Sequence, residues 1–478
     1  MIDRAVRALW KIPHLQKSKL PPPKFPTRIE GNSYSDGLVH NMYFVMSLTA
    51  ISLKGAFIRR SRQVGFNLPS NISVERYFYL RSQSTKERLE RLLRRVLREY
   101  RFDKPRQFKY GCDQLASLQR EYGWFREGVV NKVATKPLHE LYMWDRLMQL
   151  ATLTYGWKTS AFLGLGDIIS TNASLNGAIR HLTGIPEVDV LLVEEDSHLY
   201  RPGHMVVVDR EIKRIVVAIR GTMRFQDIIT NLTCEQVPFA ITTDDNKIVH
   251  GKTHEGFLLS AHNLHEELHD KVKLAMEEHK DYSLAICGHS MGGAVATLLS
   301  LMWAGEFKNR DVQSFSFAAP CVLCEDASQS EFVKSRVTSI VLGDDMVSRL
   351  SLGSFEDLVG ACQELGRSAV LSEEKKKLVK RIRTRHRTRK NKLFPSGNVY
   401  HIPYLSRYNK SSQEVITAEI IDPCISLREI LITPKMFSAH LPSNYLNSIR
   451  MQIFLRNYKD DLQNPIIQEF EFVADPNL

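Results

Sequence analysis

The 478-residue chain is 25% charged and 43% hydrophobic, the balance of an ordinary globular protein, so disorder is not the expected state. Its length accommodates one large α/β domain with an appended region. Seven cysteines spread over so long a chain do not form a disulfide framework and point to a cytosolic setting, and the net charge of +12 is concentrated rather than evenly spread.

Residues 1–133 are expected to form a mainly helical N-terminal region. Met1 to Lys17 is basic and amphipathic, without the uninterrupted apolar core and cleavage site of a signal peptide. Pro21 to Pro26 reads as a stiff, extended linker. Within residues 38–57, the apolar stretch Met42 to Leu53 is confined by His40, Asn41 and Lys54 to about a dozen residues, short of the roughly 20 that a spanning helix requires. A buried or interfacial helix is expected there, and Arg59, Arg60 and Arg62 would suit a negatively charged leaflet. From Ser84 to Tyr100, Leu89, Leu92, Leu93 and Val96 share one face of an amphipathic helix.

Helical periodicity runs from Pro137 to Trp157 and stops at Tyr155-Gly156. His204 to Val208 and Arg214 to Arg220 then read as an antiparallel hairpin whose second limb is buried. A long helix to about His279 contains His265-Glu266-Glu267-Leu268-His269, an H-E-x-x-H match. Its richness in Lys and Glu reads as an exposed helix rather than a zinc site, which would also need a third ligand from elsewhere. Cys321 and Cys324 form a single C-x-x-C with no second pair, so no metal is expected there either. Asn71, Asn172, Asn231 and Asn409 head short N-x-[ST] patterns that recur by chance.

The chain is organised around Tyr282 to Met302, where an apolar strand-like run meets Gly288-His289-Ser290-Met291-Gly292-Gly293 and then small and apolar residues at helical spacing. This is the strand, tight turn and helix of a G-x-S-x-G nucleophile elbow, with Ser290 at its apex. Acyl transfer needs N–H donors aimed at the developing oxyanion, and the backbones of Thr222, after Gly221, and Met291 are the candidates. Strands follow at Val312 to Pro320 and Val337 to Leu342, the latter ending at Asp344-Asp345. Asp345, just past a parallel strand, stands where a histidine could be oriented and charge-stabilised. Of 16 histidines, three follow this acid in the order usual for such enzymes: His386 in a basic run, His401, and His440 on a loop before the last helix. His440 is the preferred base.

Side by side, these stretches resemble the class 3 lipases, in their diacylglycerol-lipase-like branch. The resemblance covers about residues 137 to 455 and rests on Tyr155-Gly156, Val216 to Thr222 with Asp227, His254 to Phe257, Gly288 to Gly293, Phe315 to Pro320, Asp344 to Leu350, Leu393 to Gly397 and the segment around His440. It implies an α/β-hydrolase fold with a mostly parallel central sheet, and a serine carboxylic-ester hydrolase acting on a glycerolipid without cofactor or metal. Ser290 would be the nucleophile, Asp345 the acid, His440 the base, and Thr222 with Met291 the oxyanion donors. Two positions depart from the family pattern, Ser348 where proline is usual and Asn231 where aspartate often stands. A catalytically retired hydrolase fold binding a membrane surface is the competing reading.

The expected organisation is thus an N-terminal region, residues 1–133; a hydrolase domain, 134–460, with a basic insertion at 372–392; and a C-terminal tail, 461–478. Lys375 to Lys392 holds most of the excess charge. It reads as a solvated, mobile loop, or as a segment drawn to an anionic membrane surface at about 1 kcal/mol per basic residue. No aromatic residue interleaves the run, so nucleic acid is not an expected partner. A cytoplasmic, peripherally membrane-associated protein is expected, and Arg224 to Leu232 is a candidate lid.

Overall fold

In the strand Arg214–Ile219, Val216 and Ala218 join one apolar cluster while Ile215, Val217 and Ile219 join another. The strand Ser283–His289 divides the same way, Ala285 and Cys287 against Leu284 and Ile286. Successive side chains point to opposite faces of a sheet, so a continuous apolar run means that both faces are covered. The computed structural model describes residues 105–462 except 124–128, 134–135, 163–164, 166–173, 199, 223–235, 308–309, 368–371, 390 and 404–418. The candidate helices before residue 104, the candidate lid, the tail beyond 462 and Asn71, Asn172, Asn231 and Asn409 lie outside the described residues.

The strands are β1 (Val129–Val133), β2 (Val190–Glu194), β3 (His204–Asp209), β4 (Arg214–Ile219), β5 (Gln236–Thr242), β6 (Ile248–His254), β7 (Ser283–His289), β8 (Val312–Phe317), β9 (Val337–Leu342), β10 (Asn398–Ile402) and β11 (Glu419–Ile421). Among the described residues they form a nine-stranded sheet in the order β1-β11-β10-β9-β8-β7-β4-β3-β2. The neighbours from β10 to β4 all run parallel, and both edges turn antiparallel. This is the α/β-hydrolase fold with its mostly parallel centre. The longer helices are α1 (Pro105–Glu121), α2 (Leu138–Leu153), α3 (Glu255–Glu278), α4 (Met291–Glu306), α5 (Leu352–Arg367), α6 (Ser372–Thr388) and α7 (Pro442–Leu462). Side chains of α2 and α7 pack on one side of the sheet, those of α3 and α4 on the other.

The expected boundary after residue 133 needs correction. Strand β1 is part of the main sheet, and α1 packs on α5 through Cys112, Leu115 and Leu118 against Leu358, Cys362 and Leu365. Gln119 also spans to the segment before His440, its Nε2 donating to Ile430 O and its Oε1 accepting from Ile432 N, both at 2.8 Å. Residues 105–133 therefore belong with the hydrolase domain.

The basic insertion is not a solvated loop. Residues 372–388 form helix α6, which buries Leu378, Val379, Ile382 and His386 at helical spacing. Lys392 is buried too, with Nζ 2.8 Å from Asp357 Oδ2, and its pKa is lowered, foremost by burial. The paired β5–β6 hairpin, a separate two-stranded sheet, has no counterpart in the sequence-based reading. Among the described residues, no helix is long and apolar enough to cross a membrane.

Candidate active site

Parallel strand β7 runs into α4 through Ser290, whose φ of 59° and ψ of −128° are unusual for a residue with a side chain. Holding such a conformation costs on the order of 1–3 kcal/mol, so the surroundings must enforce it. They do so by close packing. A Cβ on Gly292 would lie 2.1 Å from Ile219 O, and one on Gly288 would lie 2.3 Å from Gly292 C. Ser290 N–H donates to Phe317 O at 2.9 Å, tying the turn to the end of β8.

His440 is the last residue of a short three-ten turn, Ser438–His440, and its ring reaches Ser290. Nε2 lies 3.0 Å from Ser290 Oγ, and Nδ1 lies 3.1 Å from each Asp345 oxygen. A carboxylate only accepts, so Nδ1 carries the proton and Nε2 offers its lone pair to the serine hydroxyl. Asp345 follows β9 and is fully buried. Besides His440 it accepts from Tyr445 Oη–H at 2.7 Å, Val347 N–H at 2.9 Å and Ser348 Oγ–H at 3.4 Å. The serine at a position where the resembled family usually has proline thus supplies a donor to the acid.

Two further groups were not singled out by the sequence-based reading. Tyr445 Oη donates to Asp345 and accepts from Leu342 N–H at 3.0 Å, linking the acid to the last residue of β9. Burial, then the nearby Asp345 charge, pushes its pKa well up, so the hydroxyl stays a donor. His289 is the other. Its Nε2–H donates to the carbonyl of His440 at 2.9 Å, and its Nδ1 accepts from Tyr155 Oη–H at 2.9 Å. Burial first, then His440, lowers its pKa well below the ordinary 6.5, which keeps the ring neutral and this pattern intact. His289 and Tyr155 therefore fix the backbone that carries His440. Their signal was present in Tyr155-Gly156 and in the residue before the nucleophile, but their partner lies far along the chain.

Tyr445→Phe should lower turnover by roughly 10–100-fold, the usual cost of losing a polar group that orients a reacting one. It should leave KM nearly unchanged and the fold intact, as read by ester kinetics and thermal melting. An unchanged turnover would mean that the hydroxyl only fills space.

Of the other predicted positions, Thr222 follows Gly221, where a Cβ would meet His289 O at 2.3 Å and Ser290 Cβ at 3.2 Å. This contact sets the β4 loop directly against Ser290. Met291 is the first residue of α4. The remaining histidine candidates go elsewhere: His401 Nε2–H donates to Gly343 O at 2.9 Å, and His386 Nδ1 lies 2.9 Å from Glu429 Oε1. In the H-E-x-x-H match, Trp303 Nε1–H donates to His265 Nδ1 at 2.9 Å, so the neutral ring carries its proton on Nε2, turned toward Glu306 at 3.6 Å. Both nitrogens are thereby spoken for. Among the described residues no group of three or more His, Cys, Asp or Glu is arranged to hold a metal.

A parallel sheet that delivers a serine into a positive-φ turn, and brings an imidazole and a carboxylate to the same edge, defines an α/β-hydrolase. Residues 216–355 match the family model Lipase (class 3). Diacylglycerol lipase-beta of Mus musculus is 31% identical over 183 residues, which are 38% of this chain and 26% of that protein. Diacylglycerol lipase-alpha of Homo sapiens is 25% identical over 316 residues, 57% of this chain and 29% of the relative. The chain spans between a quarter and a third of the length of these curated relatives. A native Rhizomucor miehei lipase propeptide complex aligns with a TM-score of 0.40 at 15% identity, over 64% of this chain and 82% of that one. Over these residues the chain is similar to the class 3 lipases and, among curated proteins, to diacylglycerol lipases.

Proposed function

We propose that the protein is a serine lipase that hydrolyses an acyl ester of a glycerolipid, of the diacylglycerol type. The observation that carries this reading is the continuous hydrogen-bond chain from Ser290 through His440 to Asp345. Ser290 Oγ attacks the ester carbonyl as His440 Nε2 takes its proton, while Asp345 holds the imidazole and stabilises its positive charge. The backbone N–H groups of Thr222 and Met291 receive the oxyanion. His440 returns the proton to the leaving glyceride oxygen, and an acyl group remains on Ser290. Water activated by His440 then releases the fatty acid.

The exposed side of α6, with Lys377, Lys380 and Arg381, supports peripheral attachment at an anionic membrane surface on the cytoplasmic side. The test of the catalytic reading is a panel of diacylglycerol, triacylglycerol, phospholipid and simple ester, following fatty acid release by wild type and Ser290→Ala. Wild type should release fatty acid from a glyceride and the variant should not. Equal release by a folded Ser290→Ala protein would remove the reading, as would its full substitution for wild type in cells, which the retired-fold alternative expects.

A further inference from the structure

A cavity lined by none of Ser290, His440 and Asp345 lies between α6, the turn Val347–Arg349 and residues 424–431. Its volume is about 340 Å³, and four arginines line it, Arg349, Arg383, Arg387 and Arg428, against the single acid Glu429. That size falls at the lower end of the roughly 300–1,000 Å³ usual for small-ligand pockets. The arginines arrive from three separate segments. Arg383 and Arg387 are one helical turn apart and so share a face of α6.

Two of the guanidinium groups are held in place rather than left to sway in solvent. Arg349 is 4% exposed, and its Nη1 donates to Ser426 O and, at 3.4 Å, to Glu429 O. Arg428 lies over the Phe394 ring, 5.4 Å from its centroid, and donates through Nη2 to both oxygens of Glu325 at 3.1 Å. The one lining carboxylate is engaged as well, since Glu429 Oε1 meets His386 Nδ1 at 2.9 Å. Like charges brought together in a cleft repel one another, and the cost is recovered when an anion binds between them. Planar forks with several N–H donors match the oxygens of a phosphate, which a solitary ammonium does less well.

We propose that this cavity is a binding site for a phosphate group carried on a small polar body. Two sources share that chemistry, a soluble phosphate ester and the headgroup of a phosphorylated lipid. The site does not depend on the catalytic reading, because binding is measured directly and without turnover. It also differs from general attraction of a basic helix to negative charge, since only the pocket side of α6 contributes.

The experiment uses the full chain at constant ionic strength. Binding of inositol 1,4,5-trisphosphate and of inorganic phosphate is followed by calorimetry, and binding to vesicles containing phosphatidylinositol 4,5-bisphosphate is compared with binding to phosphatidylserine vesicles of equal charge. Arg383→Gln/Arg387→Gln should weaken binding of the preferred probe by about tenfold or more. Lys377→Gln/Lys380→Gln removes the same charge from exposed positions of α6 and should change binding of the soluble probes by no more than about twofold. Arg387→Gln alone, at an exposed position, should weaken binding in the same direction, with a thermal melt establishing that it is folded. Saturable binding of a soluble probe assigns the site to a free phosphate ester. Preference for the phosphoinositide vesicles alone, lost in the arginine variants, assigns it to a headgroup. Equal losses for the arginine and lysine pairs with the soluble probe, or no saturable binding to any probe, would overturn the proposal.

Discussion

Asp345→Asn should lower turnover of an acyl ester by about 10⁴-fold while leaving the protein folded, an effect of the size expected when a triad carboxylate becomes an amide. The reason lies in the proton positions. Asp345 presents two accepting oxygens to His440 Nδ1, each at 3.1 Å, and this leaves the Nε2 lone pair facing Ser290 Oγ at 3.0 Å. Tyr445 Oη–H, Val347 N–H and Ser348 Oγ–H also need acceptors at this group. The single carbonyl oxygen of an amide cannot serve all of them. When those donors hold the carbonyl, the amide N–H₂ faces His440 Nδ1 and moves the ring proton to Nε2, where it can no longer accept from serine. Kinetics on a soluble ester, with KM and turnover separated, checks this. A loss of less than about tenfold would mean that Asp345 does not set the tautomer.

Gly292→Ala should destabilise the protein by several kcal/mol and remove activity with it, an effect in the severe class for single substitutions. The new Cβ would lie 2.1 Å from Ile219 O and 2.9 Å from Arg220 C, both backbone atoms of the adjacent parallel strand and its exit. A flexible side chain can turn aside; a paired strand cannot. Either β4 separates from the start of α4 or the turn at Ser290 relaxes, and the second outcome displaces the nucleophile. Gly360→Ala is the matched control, since its Cβ would meet only the end of Arg385 at 3.8 Å. That change should be neutral or slightly stabilising, because alanine costs less than glycine to order in a helix. Thermal midpoints and soluble yield measure both, and a Gly292→Ala protein that melts with wild type would refute the packing argument.

The catalytic scaffold was legible because its strongest signals are local. A buried strand, a serine between glycines and an apolar helix fall within the 21 residues Tyr282 to Met302, and β8 and β9 announce themselves as short apolar runs. The order of acid and histidine reduced 16 histidines to three, and the structure places His440, rather than His386 or His401, beside Ser290. What remained hidden depends on distance or on masking. Tyr445 meets an acid 100 positions earlier, and no local pattern marks a tyrosine near a helix start as its partner. Helix α6 was obscured by its charge: Leu378, Val379, Ile382 and His386 make a narrow buried stripe between basic residues that dominate any average. The boundary at residue 133 failed because α1 looks like any amphipathic helix until Gln119 is seen to bond Ile430 and Ile432.

That last contact has a wider meaning. A glutamine amide offers one acceptor and one donor in the same geometry as a peptide group, so Gln119 treats the 430–432 backbone as a neighbouring strand would, with two bonds worth about 1 kcal/mol each. The same backbone leads to Met436, whose carbonyl accepts from Met346 N at 3.1 Å beside the acid. The seating of His440 is therefore inherited in part from sequence that precedes Ser290 by some 170 positions, and under the proposed mechanism evolutionary drift in that early helix would be felt first as a change in proton transfer rather than in substrate choice.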